Sequence, residues 1–221
     1  MENYMPQVVS FRPDGANYFR TKRFVFVKNI IDEILKVNNS CRILDIGGTP
    51  AYWGVLGREL DWGRIRVVVA NLGATPSGLP GLECVTGDAR QLDQFSDLSF
   101  DFVHSNSVIE HVGRWSDMEA MAKEVRRLAP RYLVQTPYFW FPIEPHARFP
   151  FFHWMPESWR YRILMTRTCG FWGRQPDLGR AVAAIQSANI LDMQQMRYLF
   201  PDAKMIFERY YGFPKSIMAI R

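Results

Sequence analysis

Apolar positions Val27, Ile30, Ile31, Ile34 and Leu35 recur at the spacing of one helix face, which predicts an amphipathic helix near Asn17 to Val37. The pattern then changes to short apolar runs. CRILDI (Cys41 to Ile46) stops at Gly47-Gly48 and reads as a buried strand entering a tight turn. Trp53 to Leu60 reads as a helix. IRVVVAN (Ile65 to Asn71), rich in β-branched residues, LECVTG (Leu82 to Gly87) and FDFVHSN (Phe100 to Asn106) follow as further strands. Ser116 with Glu119 forms a capping-box pattern ahead of a helix bearing Met118, Met121, Ala122, Val125 and Leu128 on one face. RYLVQTP (Arg131 to Pro137) is a fifth strand, and Asp192 with Gln195 repeats the capping pattern before a short helix. Ala203 to Tyr211 and Lys215 to Arg221 close the chain as two strands around Gly212-Phe213-Pro214, antiparallel to each other because the link is short.

Strands that alternate with helices predict an α/β fold: a doubly wound, mostly parallel seven-stranded sheet ending in an antiparallel pair. The expected organisation is one domain over 1–221, with an N-terminal arm and helix over 1–40. Residues 138–191 form an insertion between the fifth and sixth strands, long enough to cover a site, with a helix expected over Glu157 to Thr166.

Composition narrows the class. Forty-eight per cent apolar residues and 22% charged residues are globular values. Three cysteines without a C-x-x-C pair predict a reduced, cytoplasmic protein without structural zinc. No apolar stretch reaches the roughly 20 residues of a membrane span. A net charge of +5 permits an anionic substrate but shows no dense basic stripe, so nucleic acid is not the expected partner.

Ligands on an open parallel sheet sit at the carboxyl ends of its strands. Those ends carry ILDIGG (Ile43 to Gly48), Asn71, TGDA (Thr86 to Ala89) and FDFVHSNSVIEHV (Phe100 to Val112), followed by YLVQTPYFWFPIEPH (Tyr132 to His146). In this order the segments resemble the motifs of the class I S-adenosylmethionine-dependent methyltransferases, over roughly residues 24 to 221. The resemblance implies S-adenosylmethionine as cofactor and S-adenosylhomocysteine as product. It implies that Gly47, Gly48 and Thr49 line the methionine part and that Asp45 orders the loop. Asp88 and Ala89 would meet the adenine, Asn71 the ribose, and Asn106 with Ser107 the sulfonium. Two positions depart from the family pattern. Thr49 and Ala51 stand where it has loop glycines, and Asn71 stands where it has an acid.

All four histidines fall between Val103 and Trp154. His104, inside a strand, reads as structural. His111 and His146 are the candidate bases, with Glu110 beside the first; Tyr138, Glu144 and His146 are candidate substrate contacts. Relatives with E-x-x-E-H at this place bind a divalent cation. Here Ser107 replaces the first glutamate, so a metal is the minority reading and no metal ligand is expected. The aromatic run Tyr138 to Trp154 serves as lid core, as an acceptor platform or as a membrane-surface patch. Arg160, Tyr161 and Arg162 either meet an anionic part of a substrate or lie solvated.

The expected reaction is methyl transfer to a small-molecule or glycan acceptor, at a hydroxyl oxygen. Three other readings are kept: a non-catalytic scaffold, an RNA methyltransferase, and a nicotinamide-dependent oxidoreductase, whose G-x-G-x-x-G is not supplied here.

Overall fold

The structure is a computed structural model that describes residues 18–73 and 76–221. The arm ahead of residue 18 lies outside the described residues. The first helix, α1, spans Tyr18–Val37 and buries Val27, Ile30, Ile31 and Ile34, the face its spacing predicts. Strand β1 (Cys41–Ile46) pairs in parallel with both β2 (Ile65–Asn71) and β4 (Phe102–Asn106). β3 (Leu82–Thr86) extends the sheet beyond β2, and β5 (Arg131–Pro137) extends it beyond β4. After the insertion come β8 (Lys204–Tyr210) and β9 (Phe213–Ile220), which are antiparallel to each other; β9 also pairs antiparallel with β5. The seven-stranded order is β3-β2-β1-β4-β5-β9-β8. Strand order reverses between β1 and β4, the place where open α/β sheets bind ligands at the carboxyl ends of their strands.

Both faces of the sheet are covered, which is why its central strands are rich in apolar residues. In β1, Ile43 points toward α1, while Leu44 and Ile46 point toward α3 (Trp115–Leu128) and α6 (Met193–Leu199).

Two helix boundaries differ from the sequence pattern. The helix after β1, α2, spans Pro50–Leu56 rather than Trp53 to Leu60. Proline's fixed φ suits a first helical turn, and Gly57 ends the helix by donating its N–H to the Trp53 carbonyl at 2.8 Å. α3 begins at Trp115, not after a Ser116 cap. Asp117 Oδ2 accepts from the Arg114 N–H at 2.7 Å, and a Cβ at Gly113 would stand 2.4 Å from that oxygen. Only glycine there leaves room for the carboxylate, so the helix starts earlier. Asp192 and Gln195 form the expected reciprocal cap of α6.

The insertion holds a two-stranded hairpin, β6 (Ile143–Glu144) and β7 (Phe149–Pro150), which the sequence pattern did not predict. It also holds α4 (Glu157–Thr166), with the predicted bounds, and α5 (Leu178–Gln186). These elements bury a small core of their own, including Ala147, Phe152, Leu164, Trp172 and Ile185. No helix among the described residues is long and apolar enough to cross a membrane.

Candidate active site

The turn after β1 is built around a buried carboxylate. Asp45 is 1% exposed; its Oδ1 accepts from His104 Nδ1 and its Oδ2 from Trp53 Nε1, both at 2.7 Å. His104 Nε2 in turn meets the Tyr52 hydroxyl at 3.4 Å, and the two rings stack. Burial, with the Asp45 charge adding to it, pushes the Tyr52 phenol upward, so it stays a donor. A Cβ on Gly48 would stand 1.7 Å from Asp45 Oδ2, and one on Gly47, at φ +70°, would stand 2.5 Å from Val108. The two glycines therefore let the turn close over the carboxylate on one side and against the start of the β4 loop on the other.

Asn71, at the end of β2, donates from Nδ2 to the Gly48 carbonyl at 3.1 Å and accepts from the Leu72 N–H at 2.8 Å. This amide ties the β2 end to the glycine turn. Asp88 is held by Arg90, whose Nη2 lies 2.6 Å from Oδ2. That hydrogen bond, outweighing partial burial, holds the Asp88 carboxyl below its usual range. Arg90 also reaches Asp117 at 3.3 Å. Arg90 meets both Asp88 oxygens through its backbone N–H, Nε and Nη2, so a ligand at Asp88 would share the carboxylate with the arginine. Ala89 packs against the α3-side core. Thr49 is the N-cap residue of α2 without a side-chain cap bond. Asn106 ends β4, and Ser107 leaves it at φ +57°, its hydroxyl 3.1 Å from Gln135 Oε1.

One turn further on, the candidate bases meet. Glu144 is buried; its Oε1 accepts from His146 Nδ1 at 2.7 Å and its Oε2 from the Ala147 N–H. His146 Nε2 lies 3.2 Å from His111 Nε2, and His111 Nδ1 donates to the Ser187 carbonyl at 2.7 Å. Both Nδ1 atoms face oxygen acceptors and so carry the ring protons. The two facing Nε2 atoms then bring a lone pair each, an arrangement that takes up one proton between them. Burial alone would lower His146, but the hydrogen bond and charge of Glu144, with Glu110 adding to them, hold it above its ordinary value. Glu110 Oε2 accepts from Thr136 at 3.0 Å, while Oε1 is buried without a partner. One ligand atom each from Glu110, His111 and His146 lie within 4.8 Å of one another.

A cavity of about 740 Å³ lies under the insertion, lined by Glu144, Phe152, His153, Arg160 and Trp172 together with the start of α3. Trp172 stacks on His146 at 5.7 Å and joins this cavity to the histidine pair. Tyr138 is not among the lining residues; it packs edge-on against Phe207. Sequence reasoning missed Trp172 and Ser187. Neither lies in a motif, and only the tertiary fold brings them to the histidines.

A family described as a methyltransferase domain matches residues 58–131, about a third of the chain. Over that segment the chain is similar to a methyltransferase domain. Among solved structures, the chain is similar to a SAM-dependent methyltransferase from Methanosarcina mazei. The two share 16% identity, the match covers 88% of this chain and 94% of that one, and the TM-score is 0.51. A protein from Pyrococcus horikoshii OT3 has 15% identity, coverage of 94% and 92%, and a TM-score of 0.52. The CurJ carbon methyltransferase has 12% identity, coverage of 91% and 53%, and a TM-score of 0.54. At these identities the likeness speaks for the fold. The chain spans 53% of the CurJ chain and 64% of a chain from an antibiotic biosynthesis pathway of Anabaena variabilis. A comparison with curated proteins gives no match.

Proposed function

We propose that this protein moves a methyl group from S-adenosylmethionine to a hydroxyl oxygen of a small-molecule or glycan acceptor. The observation that carries the reading is the chain Glu144–His146–His111 beside the β4 end, a carboxylate-oriented imidazole facing a second imidazole.

The sulfonium cofactor, when bound, supplies an electrophilic methyl group and leaves as S-adenosylhomocysteine. The protein's share is placement and proton removal. Gly47 and Gly48 let the turn close tightly over Asp45 and Val108, and the backbone of that turn would face the methionine part. Asp45 holds that turn through Trp53 and His104 rather than by touching a ligand. Asp88 and Ala89 serve the adenine and Asn71 the ribose. The Asn106 carbonyl with Ser107 serves the sulfonium. Asn71 brings no charge, so its ribose contact is a neutral hydrogen bond, roughly half as strong as the acid's would be. At the acceptor end the hydroxyl proton goes to His146 Nε2 and is shared with His111 Nε2, while Glu144 holds the imidazolium that forms. Alignment of acceptor and methyl is worth about 7–11 kcal/mol of the barrier, and the base about 10²–10⁴ in rate.

A second reading is favoured by the partnerless Glu110 Oε1. With the two Nε2 atoms, it would hold a divalent cation, which polarises an acceptor oxygen. Turnover unchanged after dialysis against a chelator sets that reading aside.

The test is calorimetry with S-adenosylhomocysteine on the wild type and on His146→Ala, alongside single-turnover methyl transfer from labelled cofactor. Binding in both proteins, with transfer slowed at least a hundredfold in the variant, is expected. An absence of binding at millimolar ligand favours a scaffold role instead.

A further inference from the structure

The cavity under the insertion contains a charged group that the methyl-transfer chemistry leaves without work. Arg160, on α4, lines it. Among the described residues its side chain makes no ion pair and donates no hydrogen bond, and its Nε is buried without a partner. Other arginines of the chain are engaged: Arg127 with Glu124 and Asp97, Arg90 with Asp88 and Asp117, Arg131 with Glu33. The acids nearest Arg160 do not take it. Glu144 is committed to His146 and the Ala147 N–H, and Glu157 is exposed, reached by Gln186 Nε2 at 3.4 Å. The charges of Glu157 and Glu144 act on Arg160 only through space, and a half-buried guanidinium without an acid in contact is costly unless a ligand brings one.

The rest of the wall describes what else that ligand carries. Phe139, Phe152 and Trp172 line the cavity, with Trp115 at its α3 side. His153 lines it too. Its Nε2 donates to the Phe139 carbonyl at 2.6 Å, which leaves Nδ1 as an acceptor, buried and without a partner. Burial holds this imidazole below its ordinary value and hence neutral near pH 7, and the nearby Arg160 charge pushes the same way. Aromatic walls, one free guanidinium and one neutral imidazole acceptor suit a ligand with a ring body and an acidic group. Glu144 is shared between this cavity and the His146 site, so an occupant would lie against the proposed base.

Resting on the methyl-transfer reading, we propose that the acceptor is an acid: a ring-bearing carboxylate or phosphate ester whose anionic group pairs with Arg160 while its ring packs against Trp172 and Phe152. A guanidinium fork fits both anions in two parallel hydrogen bonds. Arg160 is a specificity residue here, not a catalytic one.

The experiment is quenching of tryptophan fluorescence in the full chain by benzoate, phenyl phosphate and the neutral analogue benzamide; Trp115 and Trp172 report from the cavity wall. Benzoate or phenyl phosphate should bind roughly 10- to 100-fold more tightly than benzamide, the worth of one charged hydrogen-bonded contact. The tighter of the two identifies the acid. Arg160→Gln should erase that preference, Arg160→Lys should retain part of it, and S-adenosylhomocysteine affinity should be unchanged in both. Equal binding of charged and neutral probes by the wild type overturns the proposal without any variant. A preference that survives in Arg160→Gln overturns it too. S-adenosylhomocysteine binding is measured separately: its failure removes the methyl-transfer reading, while anion selectivity at Arg160 stands or falls on the probes.

Discussion

At the scale of single residues, the Glu144–His146 pair gives the site its pH dependence. His146 is held above its ordinary value of about 6.5. A raised folded-state value means that the native state binds the proton more tightly than the unfolded chain does. The stability contributed by the pair is therefore fully present below the unfolded value and is lost as pH rises through the folded one. Activity runs the other way, because the base needs a free Nε2 lone pair, so turnover should rise as pH passes the folded value. Glu144→Gln removes the charge that overcomes burial, and burial then dominates. Following the His146 ring protons by NMR titration, the variant's midpoint should move down from the wild-type position. A midpoint that stays in place would show that Glu144 does not set it. The sequence displayed these residues as a cluster of histidines with Glu144-Pro145-His146 among them. That the two Nε2 atoms face each other was not visible, because their partners, Ser187 and Glu144, lie 76 and 2 residues away on separate elements.

At the scale of elements, what could be read from sequence depended on what each element buries. β1, β2, β4 and β5 are covered on both faces, so they appear as largely apolar runs and their ranges were predictable nearly to the residue. α5 was missed. It buries Ala181, Ala184 and Ile185, and alanines write a faint periodicity. The hairpin β6–β7 was missed because two-residue strands carry no alternation. Helix starts were readable only where the cap is made by side chains that follow the usual pattern. Asp192 and Gln195 do so, whereas α3 begins through Gly113 and Asp117 in a way that Ser116 masks. The Asp192 cap gives a quantitative expectation. Its carboxylate accepts from the Gln195 N–H at 2.9 Å at the start of a helix that buries Met196 and Leu199 in the sheet's core. Asp192→Ala should lower unfolding stability by about 0.5–2 kcal/mol, with S-adenosylhomocysteine affinity unchanged. Urea denaturation measures the first and calorimetry the second. A loss of cofactor affinity as large as the loss of stability would mean that α6 reaches the donor site.

At the scale of the molecule, three apolar clusters divide the labour: one on each face of the sheet and a third inside the insertion. The insertion is joined to the rest of the fold by polar and backbone contacts, notably the Asn189 N–H to the Glu110 carbonyl at 2.7 Å and the Tyr138 N–H to the Lys215 carbonyl of β9 at 3.0 Å. A region with its own small core can open without exposing the larger ones. Native-state amide exchange should therefore show α4 and α5 opening at lower free energy than β1 and β4. A ligand that binds only the folded form stabilises it by about 2.7 kcal/mol at a hundred times its Kd. If S-adenosylhomocysteine binds at the carboxyl ends of β1 and β4, amides that exchange only through global unfolding, those in the middle of β1 and β4, should slow by that amount. Amides of α4 and α5, released by the smaller opening, should not respond until an acceptor-like acid fills the cavity that Arg160 lines. The opposite pattern, with α4 and α5 slowed by the nucleoside alone, would place the donor under the insertion and reverse the assignment of the two sites.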